Sequence, residues 1–214
     1  MRRYAHTTSL LLLLFFMFHL VVSEIPSNQR TTMINSIISS KTTRPNLLFL
    51  GISAETHIDT LESIDLSNNY LSSIPSEFMT YCGMLGGLRG LNFSWNILSG
   101  SLPNFDGFLK LEYLDLSHNS LSRTISLQMD GLVSLKLLSL GYNQFSGSVP
   151  THLGKSMVLE RLVLYYNHFV GKIPEDIANY SNLIEIDLSY NNLSGSIPDR
   201  FRELPNLQVL FYLQ

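Results

Sequence analysis

From Leu61 onward the apolar residues fall into one recurring pattern. A leucine is followed three positions on by an alternation of the Leu-x-Leu kind, then by two polar or aromatic residues and an asparagine. A further apolar residue, a small residue and a proline complete it, as in Leu183, Ile186, Leu188, Asn191, Leu193, Gly195, Ile197 and Pro198. The opening leucines are Leu61, Leu88, Leu111, Leu135, Leu159, Leu183 and Leu207, and the last four intervals are each 24 residues. The alternation predicts a short strand with one face buried and the other in solvent. Apolar residues farther along each unit, such as Leu153, Ile177 and Phe201, are expected to close the coil from the convex side. One such coil cannot bury its own apolar face, so neighbours must stack. The expected fold is an α/β-type repeat solenoid: a right-handed superhelix with a concave parallel sheet and short 3-10 or irregular convex segments.

The polar positions have physical roles as well. Asn69, Asn96, Asn119, Asn143, Asn167 and Asn191 stand in register after the strand. There an amide can both donate and accept, satisfying backbone groups the turn would otherwise orphan. Gly100, Gly147, Gly171 and Gly195 suit a tight bend, and Pro75, Pro103, Pro150, Pro174 and Pro198 fix φ beyond it.

The segments Leu98-Ser99-Gly100-Ser101-Leu102-Pro103 and Leu193-Ser194-Gly195-Ser196-Ile197-Pro198 resemble the plant-specific class of leucine-rich repeat, typical of plant receptor-like kinases and receptor-like proteins. The resemblance implies a non-catalytic extracellular scaffold that recognises a peptide, hormone or protein ligand, and a co-receptor ectodomain beside it. Six repeats are expected over 61–206, with 207–214 opening a truncated seventh. Relatives of this class begin with a cap holding a cysteine pair around a tryptophan. Residues 24–60 contain neither, so this stretch reads as an atypical cap, with 33–38 as a helix remnant and 47–52 as a short strand. Two coils depart from the pattern: Arg123 and Ser126 replace the glycine and proline of the third, and 81–87 is inserted after the first.

Arg2 and Arg3 precede an apolar run from Leu10 to Val22. That order, ending on compact residues, predicts a secretory signal peptide over 1–23, shorter than the roughly 20 residues a spanning helix needs. The expected location is the secretory pathway, then the cell surface or apoplast. Membrane association would come only through downstream segments or a retained signal anchor. With 14 basic and 17 acidic residues and no basic run, nucleic acid is not an expected partner. The single cysteine, Cys82, rules out an intrachain disulfide and reads as a buried small hydrophobe. No cofactor, metal or catalytic residue is expected: the Gly-rich stretch 83–90 lacks nucleotide-binding spacing and no kinase motif accompanies it.

The residue before each asparagine is Asn68, Trp95, His118, Tyr142, Tyr166 and Tyr190, so five consecutive coils place a ring in one column. On the strand's outward positions, with coils about 4.8 Å apart, that column would extend for roughly 19 Å. Rings with polar tips are favoured interface anchors, and Tyr113, Arg161, Glu185, Asp115 and Asp187 flank them. Arg161 would suit a ligand carboxylate, and His118 a pH-sensitive contact. The competing reading of the column is structural, with stacked rings shielding the sheet. His152 and His168 read as solvated. Sequons at Asn92, Asn179 and Asn192 are candidate N-glycosylation sites. Two other functions stay open: a secreted inhibitor of a wall-degrading enzyme, and a truncated product with no independent role.

Overall fold

The computed structural model describes residues 61–213 apart from 126, 152 and 154–156. The signal peptide, the atypical cap with its helix remnant and short strand, Ser126 and His152 lie outside the described residues.

The alternating segments form a seven-stranded, all-parallel sheet: β1 (Ser63–Asp65), β2 (Gly90–Asn92), β4 (Tyr113–Asp115), β6 (Leu137–Ser139), β8 (Arg161–Val163), β10 (Glu185–Asp187) and β12 (Val209–Phe211). Equivalent residues pair along the whole sheet, Arg161 with Glu185 and Leu162 with Ile186, so the sequence period is also the spatial register. Leu114, Leu138, Leu162 and Ile186 point inward and are fully buried. A one-residue slip would turn them all to solvent, which is why this register is strongly specified.

A second sheet lies beyond the asparagines, and the sequence pattern did not announce it. Its strands are β3 (Ser99–Gly100), β5 (Ser120–Arg123), β7 (Gln144–Gly147), β9 (His168–Gly171) and β11 (Asn192–Leu193), again parallel. Four begin directly after their asparagine and β3 begins three residues after Asn96, and each is two to four residues long, too short for alternation to be legible. Gly100, Gly147, Gly171 and Gly195 hold φ between +82° and +85° here, as the bend requires. In the third coil Arg123 adopts φ +76° in place of the glycine.

The convex side is built of 3-10 turns at Leu127–Met129, Glu175–Asn179 and Asp199–Glu203. The first coil differs: the inserted stretch completes a nine-residue α-helix, α1 (Ser76–Met84), which buries Met79 and Cys82. Burial pushes the Cys82 thiol up to about 12, so it stays protonated and packs as an apolar group. Tyr180 replaces an apolar residue on this side. Its hydroxyl donates to Thr151 O at 2.7 Å and accepts from Leu153 N–H at 3.1 Å, satisfying its polar tip inside the core. Along the opposite rim Glu112 takes Arg89 from the preceding coil and Lys136 from the next. The Lys136 hydrogen bond leads the causes that hold its carboxyl below the ordinary range, against an opposing effect of burial.

Candidate binding face

Six coils leave the main sheet through the same left-handed turn, and in four of them a side-chain oxygen braces it. The side-chain oxygen of Asp65, Asn92, Asp115 or Asp187 accepts the N–H two residues on, at 2.9–3.0 Å. The chain then turns left-handed at the residue before the asparagine. Asn68, Trp95, His118, Tyr142, Tyr166 and Tyr190 all hold φ between +50° and +56°, a conformation costing a non-glycine residue roughly 1–2 kcal/mol. Inter-coil hydrogen bonds offset that cost. The Tyr142 N–H donates to Tyr165 O at 2.9 Å and the Tyr166 N–H to Ser189 O at 3.1 Å.

The asparagines stand directly behind. Asn167 accepts the Phe145 N–H of the preceding coil at 3.0 Å. Its amide N–H groups donate to Leu140 O, Leu164 O and Tyr165 O. Asn96, Asn119, Asn143 and Asn191 repeat this bonding. Each amide therefore ties its own turn to the coil before it and fixes where the ring in front points.

The ring column differs from its expected placement. The rings sit past the strand, on the turn at the sheet's rim, and they stack on one another. Successive centroids lie 3.7 Å apart for Trp95–His118, 4.3 Å for His118–Tyr142, 4.4 Å for Tyr142–Tyr166 and 4.2 Å for Tyr166–Tyr190. Each step is shorter than the strand spacing because offset stacking brings ring planes toward van der Waals contact. The faces between successive rings are consumed by the stack, so along the ladder a ligand meets ring edges and hydroxyls. Four of the five residues stay exposed nonetheless, from 40% at Tyr142 to 56% at Trp95, and His118 between them is half-buried.

The ladder forms one wall of an open groove of about 590 Å³, with Asn119, Asn143 and Asn167 behind it and Gln144 and His168 from the second sheet beside it. Gln144 and His168 were not among the expected contacts; His168 is exposed and also lines the groove. Tyr165 was also missed. Its ring lies edge-on to Tyr142, at 5.2 Å and 81°, in space left open by Gly141, where a Cβ would come within 2.2 Å of it. A Tyr-Tyr-Asn run beside a Gly-Tyr-Asn run was the available sequence signal.

The flanking residues lie on the strands themselves, before the turn that carries the ladder. Tyr113, Arg161 and Glu185 occupy the first outward position of the strands, and Asp115 and Asp187 the third. Arg161 faces Glu185 at 3.7 Å, so a ligand carboxylate would have to share it. Asp187 also accepts the Ser189 hydroxyl at 2.6 Å. Burial lowers the His118 imidazole, partly opposed by Asp115, and raises the Tyr166 phenol with help from Tyr142 and Tyr190. Both shifts favour the uncharged forms of His118 and Tyr166. Of the sequons, Asn192 and Asn179 are exposed, the latter accepting from Arg200 at 3.2 Å, whereas Asn92 is half-buried on the inner sheet. Among the described residues no His/Cys/Asp/Glu group could hold a metal ion, and no helix is long and apolar enough to cross a membrane.

Family models described as leucine rich repeat match residues 158–211, and 60–81, 110–132 and 134–156. The leucine-rich-repeat ectodomain of the plant membrane receptor kinase GASSHO1/SCHENGEN3 from Arabidopsis thaliana, solved in complex with Casparian strip integrity factor 2, is 32% identical with a TM-score of 0.65, over 71% of this chain and 18% of that one. Pollen Receptor Kinase 3 is 34% identical with a TM-score of 0.62, over 71% of this chain and 73% of that one. The Arabidopsis receptor kinase HAESA, solved with the peptide hormone IDA and the co-receptor SERK1, is 26% identical with a TM-score of 0.51, over 72% and 33%. Leucine-rich repeat-containing G-protein coupled receptor 5 of Rattus norvegicus is 40% identical over 62 residues, 29% of this chain and 6% of that protein. The chain thus spans less than a fifth of the GASSHO1/SCHENGEN3 ectodomain and a small fraction of the rat receptor.

Proposed function

The chain belongs to the leucine-rich repeat family in its plant receptor-ectodomain form, and we propose that it works as a ligand-binding scaffold in cell-surface signal perception. The ectodomain fold is non-catalytic, and recognition is the only chemistry that this reading assigns to the chain. Its ligand is a peptide, hormone or protein segment seated in the groove, with a co-receptor ectodomain alongside, and its place is the extracellular side of the membrane or the apoplast. One observation carries the reading. Half-exposed rings in a continuous ladder edge an open groove, and the faces between successive rings are already satisfied by one another.

Stacking pre-organises the ladder. Each ring is held by its neighbours and by a fixed backbone turn, so little side-chain entropy is lost when a partner docks. The free edges offer the Tyr142, Tyr166 and Tyr190 hydroxyls, flanked by Gln144 and His168, and these suit the carbonyl and amide groups of an extended chain. HAESA, solved with a peptide hormone and a co-receptor, shares the fold and supports the proposed partner class.

The test is selection of a displayed random-peptide library on the full chain and on a Tyr142→Ala, Tyr166→Ala, Tyr190→Ala variant. A consensus on the wild type that disappears on the variant is the expected result. No consensus, or one that survives the three substitutions, would refute the groove as the binding site.

A further inference from the structure

The ring ladder is incomplete at one end. Six coils present the same left-handed position, and five fill it with a ring, but the first carries Asn68. The Asn68 amide is exposed and turns back along its own chain, donating to Ser67 Oγ at 3.3 Å. Trp95 stacks on His118 with one face, at 3.7 Å and 10°, and among the described residues no ring covers the other. With 56% of the residue exposed, the indole ends the ladder on an open face. The slot that a ring would occupy in front of Asn68 is bounded by the largest π surface in the column.

The same end carries carboxylates. Asp65 and Asp115 occupy equivalent positions, three residues before Asn68 and His118, and each is fixed by the same turn, accepting the Ser67 or Ser117 N–H at 2.9 Å. Asp115 stands near enough to His118 to favour its charged form. By repeat equivalence, Asp65 bears on the slot beside Trp95 as Asp115 bears on His118. Strand register places Asn92 between the two carboxylates, so no cation separates them along the row. Neither belongs to any of the described ion pairs, all of which lie on other positions.

We propose that the slot between Asn68 and the outer face of Trp95 takes a guanidinium from the docked partner, which stacks on the indole as the missing rung and pairs with Asp65. The proposal rests on the protein-binding reading above and specifies one anchor for it. Shape and charge select this group together. A guanidinium is planar, weakly hydrated and cationic, and indole is the best side-chain surface for it. A neutral aromatic ring would stack but leave Asp65 unused, and an ammonium would meet the charge without matching the flat slot.

Trp95 is the only tryptophan in the chain, so its emission reports the slot directly. The probe is the acetylated, amidated tripeptide Gly-Arg-Gly, titrated at low salt against the full chain beside the matching lysine and citrulline peptides. The arginine peptide is expected to change the emission saturably, with a half-saturating concentration about two- to fivefold below that of citrulline. Asp65→Asn should erase that difference. The change itself should be tolerated, because Asn92 already makes the equivalent turn bond to Ser94 N–H at 2.9 Å. Asn68→Tyr should abolish the response by filling the rung. Tyrosine already holds this backbone position at three other coils, and a near-UV circular dichroism spectrum of each variant checks that the fold is kept. Equal half-saturation for arginine and citrulline, an unaltered response in Asn68→Tyr, or no response to the arginine peptide would each overturn the anchor. A library consensus retained alongside such a null would remove the anchor alone. A surviving arginine response with no library consensus on the wild type, or with one that the three tyrosine substitutions leave intact, would remove the broader function instead.

Discussion

Asn167 offers a sharp test of what holds the coils together. Replacing it with alanine removes four hydrogen bonds, but they are not equally costly. Leu140 O keeps the Asn143 amide at 3.1 Å, Leu164 O keeps the Asn191 amide at 3.1 Å, and Tyr165 O keeps the Tyr142 N–H at 2.9 Å. The group left without a partner is the Phe145 N–H, whose residue is fully buried. An orphaned buried donor costs about 1–3 kcal/mol, and the weakened carbonyls add roughly 1 kcal/mol between them. Asn167→Ala should therefore destabilise by about 2–4 kcal/mol, independently of pH. Asn119→Ala makes the control: it loses the same kinds of bond, but Asn119 is only half-buried. Water can replace more of what is lost, and about half the effect is expected.

Asn167→Asp separates acceptor from donor. One oxygen still accepts the Phe145 N–H, while the other replaces an N–H pair and faces three carbonyl oxygens. The ionised form is disfavoured there, so the folded-state pKa rises above the unfolded value of about 3.9. A group raised in this way lends its stability below the unfolded pKa and loses it as pH rises through the folded pKa. At pH 7 the variant should be less stable than wild type by about 3–5 kcal/mol, the cost of an uncompensated buried charge. The gap should narrow on acidification, as the neutral carboxyl donates to one of the carbonyls. Urea unfolding of wild type and both variants across the acid range reads this directly. An Asp variant within about 1 kcal/mol of wild type at pH 7, or a gap that widens in acid, would refute the assignment of the amide's donor side.

Arg123 holds φ +76° where other coils use glycine, so Arg123→Gly should raise stability by about 0.5–1 kcal/mol despite the freer unfolded chain, measured by the same urea curves. A loss of stability there would mean that the exposed side chain contributes more than the strain costs. Gly141→Ala puts a Cβ within 2.2 Å of the Tyr165 ring; the ring must swing away from Tyr142. The expected readouts are a reduced near-UV tyrosine signal and a loss of about 1–3 kcal/mol.

The repeat was legible in the sequence because its requirements are local and recur in every coil. A branched aliphatic residue at each inward strand position and an asparagine at each turn are demanded by the same hydrogen bonds and core columns each time, so a period of 24 residues exposes them. The third coil shows how much drift this tolerates. Its glycine became Arg123, yet Leu121 N–H still reaches Asn143 at 3.0 Å, and the second sheet runs through. What the period did not reveal follows from the same logic. Strands of two to four residues carry too few alternations to register, and a backbone φ leaves no mark when tryptophan, histidine and tyrosine all adopt it. Recognition, moreover, depends on differences between coils, which a periodic reading averages away. Gly141 matters because its neighbour is Tyr165, and Asn68 matters because the next rung is Trp95. The repeating positions thus establish the scaffold, and the chemistry of its ligand is to be sought where one coil departs from the next.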